Sequence, residues 1–277
     1  MEALTLSVRR LTPAIGAEIS GVDLSRPIAP GIAAEMRRAW HDHAVILVRG
    51  QDLSEDDQVR YGECFGPLGK GLSSAGAGHH PSTMFISNIR QDGKPIGRLP
   101  DGDMFFHSDQ CYTAHPPVGT MLYGIEVPRE GGNTMFASMY EAYDTLPEAV
   151  KRRLDGLTAL NAYVLGDTVV RRTVLAPDSL SHVQPVVKTH PATGRKALYV
   201  NRLMTVAIEG MQREASDELL DFLFDHQEQR QFIYEHVWRP GDVILWDNRC
   251  TLHARTDFSP DERRLLRRIT VLDEHAA

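Results

Sequence analysis

The chain has 277 residues, 42% hydrophobic and 24% charged, with 30 Lys and Arg against 37 Asp and Glu for a formal net charge of −7. That mix belongs to a globular chain and excludes a disordered, collagenous or fibrous one; the negative balance supplies no field to draw phosphate backbones, so nucleic acid is not expected as a partner. No apolar run approaches the roughly 20 residues of a membrane span, and the opening MEALTLSVRRLTPAIGAE lacks the charged-then-apolar order of a signal peptide, so a cytoplasmic protein without a membrane partner is expected.

No fixed-period repeat, low-complexity tract or domain linker interrupts the chain, and a single domain over 1–277 is expected. Strand signals run through it: LTLSVRRL at the start, AVILVRG at 44–50, MFISNI at 84–89 and VGTMLYGIEV at 118–127. The stretch QPVVKTHPATGRKALYV reads as a hairpin turning at Pro191-Ala-Thr-Gly194, and FIYEHVW, DVILWDN and RRITVLD follow. Helices are expected over PGIAAEMRRAWHDHA, after capping-box signals at Ser54 with Asp57 and Ser138 with Glu141, and from Ser216 through ASDELLDFLFDHQ. Many short strands with peripheral helices predict a mainly β fold, a double-stranded β-helix (jelly roll, cupin-like). The Gly- and Pro-rich stretches 69–82 and 91–103 are candidate lid loops. Cys64, Cys111 and Cys250, odd in number and widely spaced, read as reduced packing residues.

His107-Ser-Asp109 follows two phenylalanines; on a strand, residues two apart share a face, which sets an imidazole beside a carboxylate. Composition alone produces about 1.6 His-x-acid matches, and the chain has two, so the motif needs its context. The other, His226-Gln-Glu228, lies in an amphipathic helix where such side chains diverge. Towards the C-terminus, His253 precedes an arginine cluster. Strand parity puts Arg264, Leu266 and Arg268 on one face and Leu265, Arg267 and Ile269 on the other. Two arginines facing inwards require anions, because unpaired buried charge costs several kcal/mol. His107, Asp109 and His253 could thus face one metal and leave positions open, with the arginines holding carboxylates bidentately.

HSD at 107–109, GGNT at 131–134, WDNRCTLH at 246–253 and RRLLRR at 263–268 together resemble the taurine/2,4-dichlorophenoxyacetate dioxygenase family. The likeness runs from GAEISGVDL at 16–24 through THPATGRKALYVN at 189–201. It implies Fe(II) on His107, Asp109 and His253 as the catalytic and metal residues, and 2-oxoglutarate as cosubstrate held by Thr134 and Arg264. O2 is the oxidant and Arg268 faces a small anionic substrate. ISNIRQDGK at 86–94, FGPLGKGL and VLGD at 164–167 resemble the aryloxyalkanoate branch, which adds Lys94 and Asn88 as substrate-pocket candidates. The implied reaction is hydroxylation beside a heteroatom, cleaving an aryloxyalkanoate ether to a phenol while 2-oxoglutarate yields succinate and CO2. A taurine- or alkylsulfonate-type dioxygenase, or another carboxylate dioxygenase of the same family, is the alternative; a zinc hydrolase, which would work without oxygen, and a non-catalytic binding protein are remote ones. Asn133 stands where the family has Asp, and Phe106 where it has Trp; neither is a metal ligand. The resemblance also allows a homo-oligomer. Of the other histidines, His41, His43, His190 and His236 read as satisfied or solvated, His79 and His80 as loop residues able to close over substrate, and Met204 as a packing residue.

Overall fold

The computed structural model describes residues 6–71, 80–99, 102–163 and 179–274. The chain opens with β1 (Ser7–Arg10), β2 (Ala17–Ser20), α1 (Pro30–His43), β3 (Val45–Val48) and α2 (Glu55–Glu63). Next come β4 (Thr83–Ser87), a short hairpin of β5 (Arg90–Gln91) and β6 (Lys94–Pro95), then β7 (Met104–His107), β8 (Gly119–Glu126) and β9 (Thr134–Ser138). The helices α3 (Met139–Asp144) and α4 (Glu148–Leu154) lead into β10 (Thr158–Tyr163), β11 (Leu180–Pro185), β12 (Val187–Thr189), β13 (Lys196–Leu198) and β14 (Thr205–Ile208). The last elements are α5 (Arg213–Gln227), β15 (Ile233–His236), β16 (Val243–Asp247), β17 (Thr251–Arg255) and β18 (Leu265–Val271).

A seven-stranded sheet, ordered β1-β2-β3-β16-β8-β18-β4, lies against a four-stranded one, β15-β9-β17-β7, and this pair is the jelly-roll core. Alternation along β16 shows how the large sheet is built. Val243 and Leu245 join Met36, Trp40, Val59 and Tyr61 of α1 and α2 on its outer face. Ile244 and Trp246 point inwards with Leu122 and Leu266, and Trp246 meets Phe136 of the small sheet at 5.3 Å between ring centroids. Both faces are covered, which is why VILWD reads as an unbroken apolar run rather than an alternating one. Each such side chain contributes about 1.5–3 kcal/mol on burial.

Local signals place most element ends. Ser54 and Asp57 form the full capping box of α2. Ser138 caps α3, but its Glu141 carboxylate goes to Arg195 at 3.1 Å instead of closing a box. Ser216 does not open α5, which starts at Arg213; its hydroxyl accepts from the Ile208 amide of β14 at 2.9 Å, a tertiary bond that competes with capping. The expected hairpin is β12–β13, closed by the His190 amide donating to Arg195 at 2.8 Å. His190 and His226 are satisfied by Asp247 and the Ala142 carbonyl, and His236 Nδ1 by the Tyr234 hydroxyl at 2.9 Å. Met204 packs against Cys111, and the three cysteines are free. No described helix is long and apolar enough to cross a membrane. His79, the VLGD stretch at 164–167 and most of the 69–82 loop lie outside the described residues.

Candidate metal and cosubstrate site

The β7–β17 register sets His107 directly opposite His253, ring centroids 4.1 Å apart. Both residues lie on the face of the small sheet that carries Phe136, so they point between the sheets. Asp109 follows two residues later. The Gln110 backbone then takes a left-handed φ of 51°, which turns the chain away and leaves the carboxylate facing the imidazoles. One donor atom from each of His107, Asp109 and His253 lies within 4.8 Å of the others.

The donors are in the states a metal needs. Burial, with His107 alongside, pushes the His253 pKa down to about 3, and burial lowers His107 as well, so both imidazoles are neutral. His107 Nδ1 lies 2.9 Å from the Phe105 carbonyl and donates to it, which leaves Nε2 with its lone pair. Burial would push the Asp109 carboxyl up, but Arg268, the two imidazoles and the Thr120 hydroxyl more than offset this and hold it ionised. Two neutral imidazoles and one carboxylate form a set that fits a mononuclear metal with open positions.

The strand parity of the arginines holds. Arg267 turns outwards to α2, donating from Nε to Gln58 Oε1 at 2.6 Å and from Nη2 to the Leu53 and Ser54 carbonyls at 2.9 and 2.8 Å. Arg268 turns inwards, and its Nη2 lies 2.8 Å from Asp109 Oδ2. Arg264 is 2% exposed, too deep to be solvated, and no described carboxylate pairs with it. Its Nε donates to the Gly132 carbonyl at 3.2 Å, while Nη1 is buried without a hydrogen-bond partner. Burial, with Arg255 nearby, lowers its pKa to about 9, so it remains a cation at neutral pH.

The GGNT turn explains how Arg264 fits. Gly131 and Gly132 have φ of +74° and +63°, and a Cβ on Gly132 would sit 3.3 Å from Arg264 Cδ and Nε. Two residues on, Thr134 Oγ1 accepts from Trp238 Nε1 at 3.0 Å, so its own proton is free to donate. A buried unpaired guanidinium near a hydroxyl with a spare proton forms a receptor for a carboxylate.

Asn88 Oδ1 accepts from the Arg264 amide at 2.9 Å and its Nδ2 donates to the Glu262 carbonyl at 2.8 Å. These bonds tie it to the start of β18. Lys94 is exposed on the β5–β6 hairpin and is not brought to the ligand cluster. Asn133 donates to Glu235 at 2.9 Å, and Phe106 is buried in the core. Sequence reasoning passed over Arg255, although its place two residues after His253 on one strand face is the same signal that linked His107 to Asp109. It also passed over Thr120, whose hydroxyl donates to Asp109 Oδ2 at 2.6 Å.

A jelly roll with two imidazoles and a carboxylate between its sheets, and a buried guanidinium against the GGNT turn, is an arrangement able to hold a metal ion and an anionic ligand. The family model described as taurine catabolism dioxygenase TauD, TfdA family matches residues 7–270, and the chain belongs to that family. It is therefore an α-ketoglutarate-dependent dioxygenase, using 2-oxoglutarate and O2 with a metal. It is 34% identical over 286 residues to the α-ketoglutarate-dependent 2,4-dichlorophenoxyacetate dioxygenase of Cupriavidus pinatubonensis, covering 95% of this chain and 96% of that one. It is also 34% identical to pentalenolactone F synthase of Streptomyces avermitilis, covering 95% and 93%. Among solved structures it resembles a taurine dioxygenase from Burkholderia xenovorans, with a TM-score of 0.81, 30% identity and 96% and 90% coverage. AAD-2 in complex with Mn(II) and N-oxalylglycine matches with a TM-score of 0.80, 28% identity and 97% coverage of each chain. The resemblance to the aryloxyalkanoate branch read from the sequence agrees with the 2,4-dichlorophenoxyacetate dioxygenase among these relatives.

Proposed function

We propose that the chain is an Fe(II)- and 2-oxoglutarate-dependent dioxygenase that hydroxylates a small acidic molecule next to a heteroatom, with an aryloxyalkanoate as the preferred substrate class. The observation that carries the cosubstrate half is Arg264, a buried cation that has no carboxylate partner among the described residues and sits against the GGNT turn. His107, Asp109 and His253 would hold the iron. Bound there with 2-oxoglutarate, it would supply oxidative decarboxylation by O2 to succinate and CO2, coupled to hydroxylation of a substrate carbon; on an aryloxyalkanoate the product collapses to a phenol.

The protein's own contribution is orientation. Arg264 and Thr134 would fix the distal carboxylate of 2-oxoglutarate, so the keto acid end is delivered in one pose. Arg268, whose Nε is buried without a hydrogen-bond partner, would hold the substrate's acid beside the ligands. An aryl ring is favoured by the partly buried Met104, Tyr112 and Tyr163, which pack on Cys111, Tyr199 and Met204 next to the Asp109 segment. Tyr112 and Tyr163 stack at 5.0 Å.

The test is oxygen uptake and succinate formation with Fe(II), ascorbate and 2-oxoglutarate over aryloxyalkanoates, alkylsulfonates and other carboxylic acids. Stimulation by aryloxyalkanoates is expected. Stimulation by alkylsulfonates alone would move the chain to the taurine reading, and turnover without oxygen would contradict the dioxygenase reading altogether.

A further inference from the structure

Asp109 has two oxygens, and the structure treats them differently. Oδ2 receives the Thr120 hydroxyl at 2.6 Å and lies 2.8 Å from Arg268 Nη2. Oδ1 faces His253 Nε2 at 4.0 Å. Behind Thr120, Asn248 Nδ2 lies 3.0 Å from Thr120 Oγ1, and Trp246 Nε1 lies 2.9 Å from Asn248 Oδ1. Trp246, Asn248 and Thr120 are each at most 1% exposed, so water cannot substitute for any of these partners.

We propose that Trp246, Asn248 and Thr120 form a one-way hydrogen-bond chain that occupies Asp109 Oδ2 and thereby presents Oδ1 alone to the metal. The inference rests on the reading of His107, Asp109 and His253 as the metal site. The direction follows from the donor inventory. An indole N–H can only donate, so the Asn248 carbonyl oxygen must face Trp246. The amide nitrogen then faces Thr120, and because it too can only donate, the hydroxyl oxygen must accept. The single hydroxyl proton is left for Asp109. Flipping the Asn248 amide would set its NH2 against the indole N–H, two donors face to face, so the polarity has no low-energy alternative.

The same turn is clamped from its backbone. The Asn248 amide donates to the Val118 carbonyl at 2.9 Å, and its carbonyl accepts from Ser108 Oγ at 2.8 Å, which ties the turn after β16 to the segment carrying both His107 and Asp109. Thr120, Asn248 and Trp246 are therefore positioning residues. A carboxylate with both oxygens free can take two coordination positions; with Oδ2 engaged, Asp109 would offer a metal Oδ1 alone and leave other positions open.

The experiment compares Co(II) affinity of the full-length apoprotein, measured by chelator competition, with the visible spectrum of the Co(II) form, for wild type, Thr120→Val, Thr120→Ala and Thr120→Ser. Val and Ala remove the hydroxyl with and without retention of shape, so a variant that fails to fold leaves the other to be read. Loss of the hydroxyl is expected to weaken Co(II) by about 10–100-fold and to shift the spectrum, with Ser restoring both. Affinity and spectrum of Val or Ala matching wild type, or failure of a folded Ser variant to restore them, would overturn the proposal. Absence of Co(II) binding by wild type would instead overturn the metal-site reading beneath it.

Discussion

Among the described residues two clusters place three metal-ligating side chains within 4.8 Å: His107, Asp109 and His253, and His190, Asp247 and Cys250. Only the first has a lone pair to offer. Asp247 Oδ1 accepts from the Arg249 amide and Nε at 2.9 and 2.8 Å, while Oδ2 meets His190 Nε2 at 3.0 Å and Arg249 Nη2. Burial pushes the Cys250 thiol far up, so it keeps its proton. A cation entering there would have to displace a fixed guanidinium. Asp109, by contrast, keeps its arginine and its hydroxyl on one oxygen. Closeness of donor types does not define a metal site; an uncommitted acceptor atom does. The neighbours Asp247 and Asn248 divide these tasks within one turn, one locking the fold and the other reaching towards Asp109 through Thr120.

The largest expected effect breaks the first cluster: His107→Ala, Asp109→Ala or His253→Ala should each abolish detectable Co(II) binding by the folded protein in a calorimetric titration. The matching change in the second cluster is Arg249→Leu. It leaves Asp247 buried with its guanidinium removed and should cost about 3–5 kcal/mol in urea denaturation, with Co(II) affinity of the folded fraction unchanged. If Arg249→Leu reduced metal affinity as much as Asp109→Ala, the two clusters would not be the separate devices described.

A second pair sharpens the contrast between satisfied and waiting cations. Arg264→Met should weaken 2-oxoglutarate by about 2–5 kcal/mol, the cost of removing one partner of a buried charge pair. It should also raise the melting temperature of the unliganded protein, since the lone buried charge is gone. Arg268→Ala should instead chiefly raise KM for the primary substrate, which steady-state kinetics separates from the Arg264 effect. The smallest effect belongs to the outward neighbour: Arg267→Leu removes the bonds to Gln58, Leu53 and Ser54. It should cost about 1–3 kcal/mol in chemical denaturation and leave 2-oxoglutarate affinity intact.

Much of this was legible in the sequence because short-range rules govern it. Period-two alternation in RRLLRRITV separates Arg268 from Arg267, and an unbroken apolar run marks β16 as a strand covered on both faces. Ser54 with Asp57 fixes the start of α2, since a capping box is closed by neighbours in the chain. Ser216 misled for the opposite reason: its hydroxyl bonds a strand that only the tertiary fold brings near. The bracing bonds of Asn88 were hidden likewise, because its partners Arg264 and Glu262 lie about 175 residues away. Thr120 and Asn248 gave no local sign of their roles, since a lone polar residue in an apolar strand shows neither its partner nor its direction of donation. Which anion Arg268 meets rests on side chains brought in by loops, and loop residues obey no period.

The central claim is that Arg264 waits, charged and unpaired, for the distal carboxylate of 2-oxoglutarate beside a metal held by His107, Asp109 and His253. Its most direct test is calorimetric titration of 2-oxoglutarate into the Co(II)-loaded protein under nitrogen, for wild type and Arg264→Met. The account predicts binding that Arg264→Met loses while Co(II) stays bound. Equal 2-oxoglutarate affinity in the two proteins would contradict it.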